Sequence, residues 1–322
     1  MRAALIAAAL ICAASQPGAA QSISLGFPVD CDLGETCFIQ QFVDHDPGPK
    51  ASDAFCGPQT YDGHKGTDIA LPTLRDMENG VSVLAAAPGV VRGLRDGMAD
   101  AYYTPNTEDD IRGRECGNGV LIDHAGGWQT QYCHLKQGSI VVQTGDKVEP
   151  GTLLGHVGLA GRTQFPHLHL SLRKDGAVVD PFDPDGKIDC LAPSADTLWQ
   201  EPITPQPGGI IALGFADHVP TFDAIKAGTA DTRAFAVSAP AMVVYAYAFG
   251  GRAGDILALR LTGPGGEVAQ QELTLEKTQA QLFRAIGRRA RADWPVGRYF
   301  GTAQLMRDGK TLDTKEAFLE VK

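Results

Sequence analysis

Apolar residues in this chain recur in short runs broken by glycine, and no long window holds the 3.6-residue period of a helix. Residues 81–87, 90–94, 120–124, 128–135, 140–142, 153–157 and 167–172 read as strands, and Ala125-Gly126-Gly127 joins two of them as a hairpin. Residues 191–209 hold Pro193, Pro202, Pro205, Pro207, Gly208 and Gly209 among few apolar side chains, the composition of a linker. Beyond it the β pattern resumes at 232–238, 241–249, 256–262, 268–275, 299–307 and 317–321. There Leu257, Leu259 and Leu261 alternate with Ala258 and Arg260, as in a half-buried strand. The expectation is a mainly β protein: an antiparallel-sheet unit, then a separate β-sandwich over 210–322, about seven strands in roughly 115 residues, of immunoglobulin-like type.

Composition sharpens this division. With 322 residues and 43% apolar content there is room for two cores. Lys+Arg 28 against Asp+Glu 38 argues against general nucleic-acid binding through phosphate neutralisation. Residues 21–206 carry 13 basic and 26 acidic side chains, whereas 207–322 carry 14 and 12. Residues 1–20 have the charged start, apolar run and small-residue end of a signal peptide cut after Ala20, too short for a membrane span. A lipid-attachment reading of Cys12 is weakened by Ile11, where a small residue is wanted. The mature protein is therefore expected to be exported, in the periplasm or outside the cell. Six cysteines remain after residue 20, an even number that suits disulfides. Of the fifteen possible connectivities, Cys31 with Cys37 closes a short loop and is the simplest pair. Cys116 and Cys133 flank the hairpin and could oppose one another, which would leave Cys56 with Cys190, and these two pairings stay open.

The candidate chemistry sits in three histidine clusters. His64 and Asp68 stand four apart in Gly63-His64-Lys65-Gly66-Thr67-Asp68, where the glycines favour strand or loop over helix. His134 follows Gln131-Tyr132-Cys133; strand alternation puts Trp128, Thr130, Tyr132 and His134 on one face, with Cys133 and Leu135 on the other. Each of these alone fits an ordinary surface or packed histidine. In His167-Leu168-His169-Leu170-Ser171-Leu172 the leucines share one face and both imidazoles the other. Imidazole, imidazole and carboxylate together form a ligand set that suits zinc. A cupin would also show His-x-His, but wants a glutamate a few residues on, where this chain has Ser171-Leu172-Arg173. His45, His124 and His156 are not assigned to the site, although the alternation of His156 with Leu154 would let it face the same groove.

Several ordered motifs over some 120 residues resemble the lysostaphin-type (LytM-like) zinc endopeptidases. They are His64-x-x-x-Asp68, the 85–91 run Ala-Ala-Ala-Pro-Gly-Val-Val, Gly117-Asn118-Gly119-Val120, Tyr132-x-His134-Leu135, Gly145-Asp146-x-Val148-x-x-Gly151, His167-x-His169 and Asp180-Pro181. The resemblance implies a peptidase unit at 53–190 after a lead segment at 21–52, with zinc held by His64, Asp68 and His169. It implies His134 and His167 as the catalytic pair, and the peptide cross-links of bacterial peptidoglycan as substrate. Two alternatives stay open: a non-catalytic, wall-binding regulator of other hydrolases, and a secreted peptidase of glycine-rich proteins. The chain departs from the family in a long 95–115 connection, where Tyr102 and Tyr103 either contact substrate or sit in a solvated loop. Arg284, Arg288, Arg289 and Arg291 form either a solvated face or a docking patch for an anionic envelope partner. Whether the lead segment inhibits the cleft is also open.

Overall fold

A computed structural model describes residues 22–190 and 196–322; the expected signal segment lies outside them. The first unit contains β1 (Phe38–Gln41), β2 (Thr67–Ala70), β3 (Ser82–Leu84), β4 (Gly89–Arg95), β5 (Gly119–Asp123), β6 (Trp128–Cys133), β7 (Lys147–Val148), β8 (Leu153–His156), β9 (His167–Lys174) and β10 (Ala177–Val179). Most form one antiparallel sheet in the order β1-β2-β9-β6-β5-β4-β7, with β10 also on β9; β3 and β8 pair separately. Residues 140–142, expected as a strand, take no part in one. Helices are short here: α1 (Leu74–Asn79), capped by Thr73, and α2 (Glu108–Ile111).

The alternation of β9 decides where the core and the open face lie. Leu168, Leu170 and Leu172 are fully buried with Tyr132 of β6, Val120 and Ile122 of β5, and Val83 and Leu154 of the β3–β8 pair. The lead segment belongs to this unit rather than preceding it. β1 extends the sheet, and Ile23, Leu25, Val29 and Phe42 enter the same core. The described part of the Pro-rich stretch, from residue 196, packs on this unit: Trp199 is buried beside Phe182, and the Leu25 N–H bonds the Leu198 carbonyl. Three disulfides are present, Cys31–Cys37, Cys56–Cys190 and Cys116–Cys133, and the last two are the pairings that the sequence left open.

The second unit contains β11 (Gly209–Ala216), α3 (Phe222–Ala227), β12 (Ala234–Phe235), β13 (Ala241–Gly251), β14 (Ile256–Gly263), β15 (Gly266–Thr274), β16 (Gln279–Arg289), β17 (Gly297–Arg307) and β18 (Lys310–Val321). They form two sheets, β11-β13-β16 and β12-β18-β17-β14-β15, which enclose one apolar core. β11 and β16 escape the run-by-run reading: β11 is a continuous apolar run that begins directly at the Pro/Gly stretch, and β16 breaks its apolar residues with Gln281 and Arg284. β13 is apolar throughout because both its faces are covered. Its Met242, Val244, Ala246 and Ala248 face the sandwich core, while Tyr245, Tyr247 and Phe249 face the first unit. Phe38 stacks on Phe249 at 4.5 Å, and the Gln40 amide bonds both the Ala280 carbonyl and Gln281.

The arginines do not form the single patch their spacing suggested. Arg288 and Arg289 are neighbours on β16, so their side chains leave opposite faces, and Arg288 lies over the Trp294 ring. Arg284 is half-buried between the core residues Leu282 and Ile286, and Arg291 lies beyond the strand end.

Candidate metal centre and catalytic cleft

Antiparallel pairing of β2 with β9 sets Asp68 directly across from His169 and Ala70 across from His167. His64 reaches the same point from the loop before β2. Gly66 makes that approach possible, since a Cβ there would sit 2.7 Å from the His169 ring. Asp68 Oδ1 lies 3.2 Å from His64 Nε2 and 2.8 Å from His169 Nδ1, and those two nitrogens are 3.1 Å apart.

The outer partners of these residues show what the triangle fits. His64 donates its Nδ1–H to the Phe42 carbonyl (2.6 Å), leaving Nε2 bare in the neutral ring. Ser171 donates its hydroxyl to the Lys65 carbonyl, so toward His169 it accepts the Nε2–H (3.0 Å), and His169 Nδ1 is bare as well. Three lone-pair donors thus converge with no proton of their own between them. Tetrahedral zinc with bonds of about 2.05 Å would separate its ligands by about 3.3 Å, close to the observed triangle. Burial pulls the His64 pKa down, but the Asp68 charge more than reverses it, so the triangle attracts a proton that a metal ion would replace. Burial would raise the Asp68 pKa; the charge of His64, with hydrogen bonds to His169 and His64, instead holds it well below the usual carboxylate range. The donor set fits zinc.

His134 and His167 complete the cleft, with ring centroids 4.6 Å apart. Each donates Nδ1–H to a backbone carbonyl: His134 to Ala160 (2.7 Å) and His167 to Phe165 (2.9 Å). Both therefore present a bare Nε2. Burial holds the His134 pKa well below that of a free imidazole and lowers His167 too, so both are neutral at neutral pH.

His134 does not follow the alternation of β6. That strand ends at Cys133, and His134 takes a left-handed backbone, φ 64°. Tyr132 is buried in the core with its hydroxyl accepting from the Ala86 amide, while His134 turns to the cleft lined by Gln131, Cys133 and His169. Regular alternation would have sent the ring into the core behind Tyr132.

Residues 62–181 match the family model "Peptidase family M23". That stretch is an M23 peptidase domain. The DD-carboxypeptidase/endopeptidase Mpg of Neisseria meningitidis serogroup B is 34% identical over 124 residues, which are 38% of this chain and 23% of Mpg. The peptidoglycan DD-endopeptidase ShyA of Vibrio cholerae is 33% identical over 117 residues, 36% of this chain and 22% of ShyA. The chain thus spans under a quarter of the length of these relatives. The solved catalytic domain of lysostaphin from Staphylococcus simulans is 22% identical, covers 37% of this chain and 76% of that one, and gives a TM-score of 0.26.

All five residues expected at the site of the M23 domain meet in one cleft, whose rim adds Tyr61, Lys65, Glu115, Arg162 and Arg173. Residues that hold the site were not legible as such. Phe42 and Ala160 act through backbone carbonyls, which leave no sequence signal. Ser171 was detectable, because it continues the alternation of His167 and His169. Tyr102 does not line the cleft; it packs at the junction of the two units, with Lys226 over its ring. Tyr103 bonds Glu108, which pairs with Arg162. His156 lies beside Gly80, His124 bridges the Pro88 carbonyl and Thr130, and His45 pairs with Asp180.

Proposed function

We propose that this protein is an exported zinc endopeptidase that hydrolyses peptide cross-links of bacterial peptidoglycan. The observation that carries the reading is the convergence of three bare donors with two neutral, buried imidazoles on one open cleft. The name of ShyA, a peptidoglycan DD-endopeptidase, supplies the substrate class. Three protein ligands leave a fourth position, and zinc held there supplies Lewis acidity that polarises a carbonyl and acidifies a water. The chain's own residues do the rest. His134 and His167, each fixed in one tautomer by a backbone carbonyl, offer Nε2 lone pairs to take the proton of the attacking water and return it to the leaving amine. Once protonated, the same Nε2–H can steady the oxyanion.

The disulfides support export to an oxidising compartment. No helix among the described residues is long and apolar enough to cross a membrane. We read 53–190 as the peptidase unit, 21–52 as its edge segment, and 210–322 as an immunoglobulin-like sandwich that places and braces the peptidase. The test is mass spectrometry of fragments released from purified peptidoglycan by the zinc-loaded mature protein, with His167→Ala as the blank. New amino and carboxyl ends in the stem peptides are expected. Intact wall with protein bound would replace this reading with that of a binding regulator.

A further inference from the structure

β9 presents four side chains in turn to the cleft face: His167, His169, Ser171 and Arg173. The first three have roles in the site; Arg173 has none so far. It is half-buried on the cleft lining, and among the described residues its guanidinium has neither a hydrogen-bond nor an ion-pair partner. Arg162, on the same cleft, is different: Glu108 holds it and Tyr103 lies beneath it. The lining carries Lys65, Arg162 and Arg173 near the carboxylates of Glu115 and Asp68, and of the three cations only Arg162 has a carboxylate partner among the described residues. A guanidinium that no described residue holds, on the wall of the cleft and on the same strand face as His169 and Ser171, is free to donate to a bound ligand.

We infer that Arg173 is a specificity-determining residue that holds a carboxylate of an anionic peptide substrate, about 13 Å along β9 from His169 at about 3.3 Å per residue. The planar fork of arginine matches a carboxylate with two parallel N–H donations, which lysine cannot reproduce. Exposed Lys65, next to His64 in sequence, adds attraction for the same sign of charge. The inference rests on the peptidase reading above and adds to it which substrates the cleft prefers.

The experiment compares two soluble cross-linked peptides from peptidoglycan, one with free side-chain carboxylates and one with them converted to carboxamides. Zinc-loaded full-length mature protein should cleave the free acid with a kcat/KM about tenfold higher, the difference lying in KM, as a charge-assisted pair predicts. In Arg173→Gln that ratio should fall to near one, and Arg173→Lys should recover part of it. A ratio that stays near ten in Arg173→Gln, or that starts near one in the wild type, overturns the inference. Because the readout is a ratio, a loss common to both peptides does not imitate the effect. If the wild type cleaves neither peptide, the peptidase reading fails by itself and binding of the same peptides by fluorescence anisotropy decides this one. Tenfold tighter binding of the free acid, abolished in Arg173→Gln, upholds the carboxylate site; equal binding removes it.

Discussion

The rings of His134 and His167 lie 4.6 Å apart, and a different backbone device brings each there. His167 arrives by plain strand alternation. His134 arrives by a left-handed residue that turns the chain off its strand, φ 64°. A non-glycine residue in that region costs about 1–2 kcal/mol, and such strain collects where geometry matters more than stability.

This cost predicts a separation of stability from activity. His134→Ala and His134→Gly should both lower turnover by about 10²–10⁴-fold, the usual contribution of a proton-transferring side chain. The glycine variant should unfold later than the alanine variant by about 1 kcal/mol in denaturant titrations, since glycine accepts positive φ freely. Equal midpoints would show that the left-handed turn is not strained.

Zinc content should divide the histidines. After dialysis against buffer, metal analysis should find zinc lost from His169→Ala and kept by His167→Ala, with turnover absent from both. Ser171→Ala removes only the acceptor of the His169 N–H, and should weaken zinc about 10–100-fold in competition with a chelator. Full zinc in His169→Ala would break the ligand assignment.

Phe165 couples the two units to the site. Its carbonyl accepts from His167, its ring stacks on that imidazole at 4.4 Å, and it packs against the shared cluster of Tyr245, Tyr247 and Phe249. Phe165→Ala should lower kcat about tenfold with zinc content unchanged. A shift confined to KM would point to substrate contact rather than positioning of His167.

A pH effect should come from His45, which pairs with Asp180 near the end of the matched stretch. Its hydrogen bond to Asp180 (2.8 Å) raises its pKa above the free value, and partial burial opposes this without reversing it. A raised folded-state pKa means the pair stabilises fully below about pH 6.5 and loses this contribution as pH rises through the folded value. The Tm difference between wild type and His45→Gln should therefore be larger at pH 5.5 than at pH 9. A constant difference would mean that the imidazole is neutral throughout.

Much of the site could be read directly because strand chemistry is local. In β9 a period of two separates leucines from imidazoles whatever surrounds the strand, and Asp68 and His64 stand out as ligand types at a family spacing. The sandwich was legible for a similar reason at Leu257, Leu259 and Leu261. Signals failed where a strand was covered by the other unit or carried polar residues at an edge, as in β16. The lead segment misled because polar and glycine-rich stretches hide β1, whose pairing partner β2 comes 26 residues after the end of β1.

By itself the sequence determined the residue types of the metal site, the two-unit division, the short Cys31–Cys37 loop and the face on which His167 and His169 lie. Each depends on composition or on periodicity within a few residues. Tertiary structure alone decided that His134 faces the cleft and not the core, that the Phe42 and Ala160 carbonyls fix two tautomers, and that Arg288 and Arg289 diverge. It also left Arg173 without a partner on an otherwise acidic unit. These depend on backbone dihedrals and on contacts between distant segments, and one residue at φ 64° is enough to reverse an alternation that the sequence spells out.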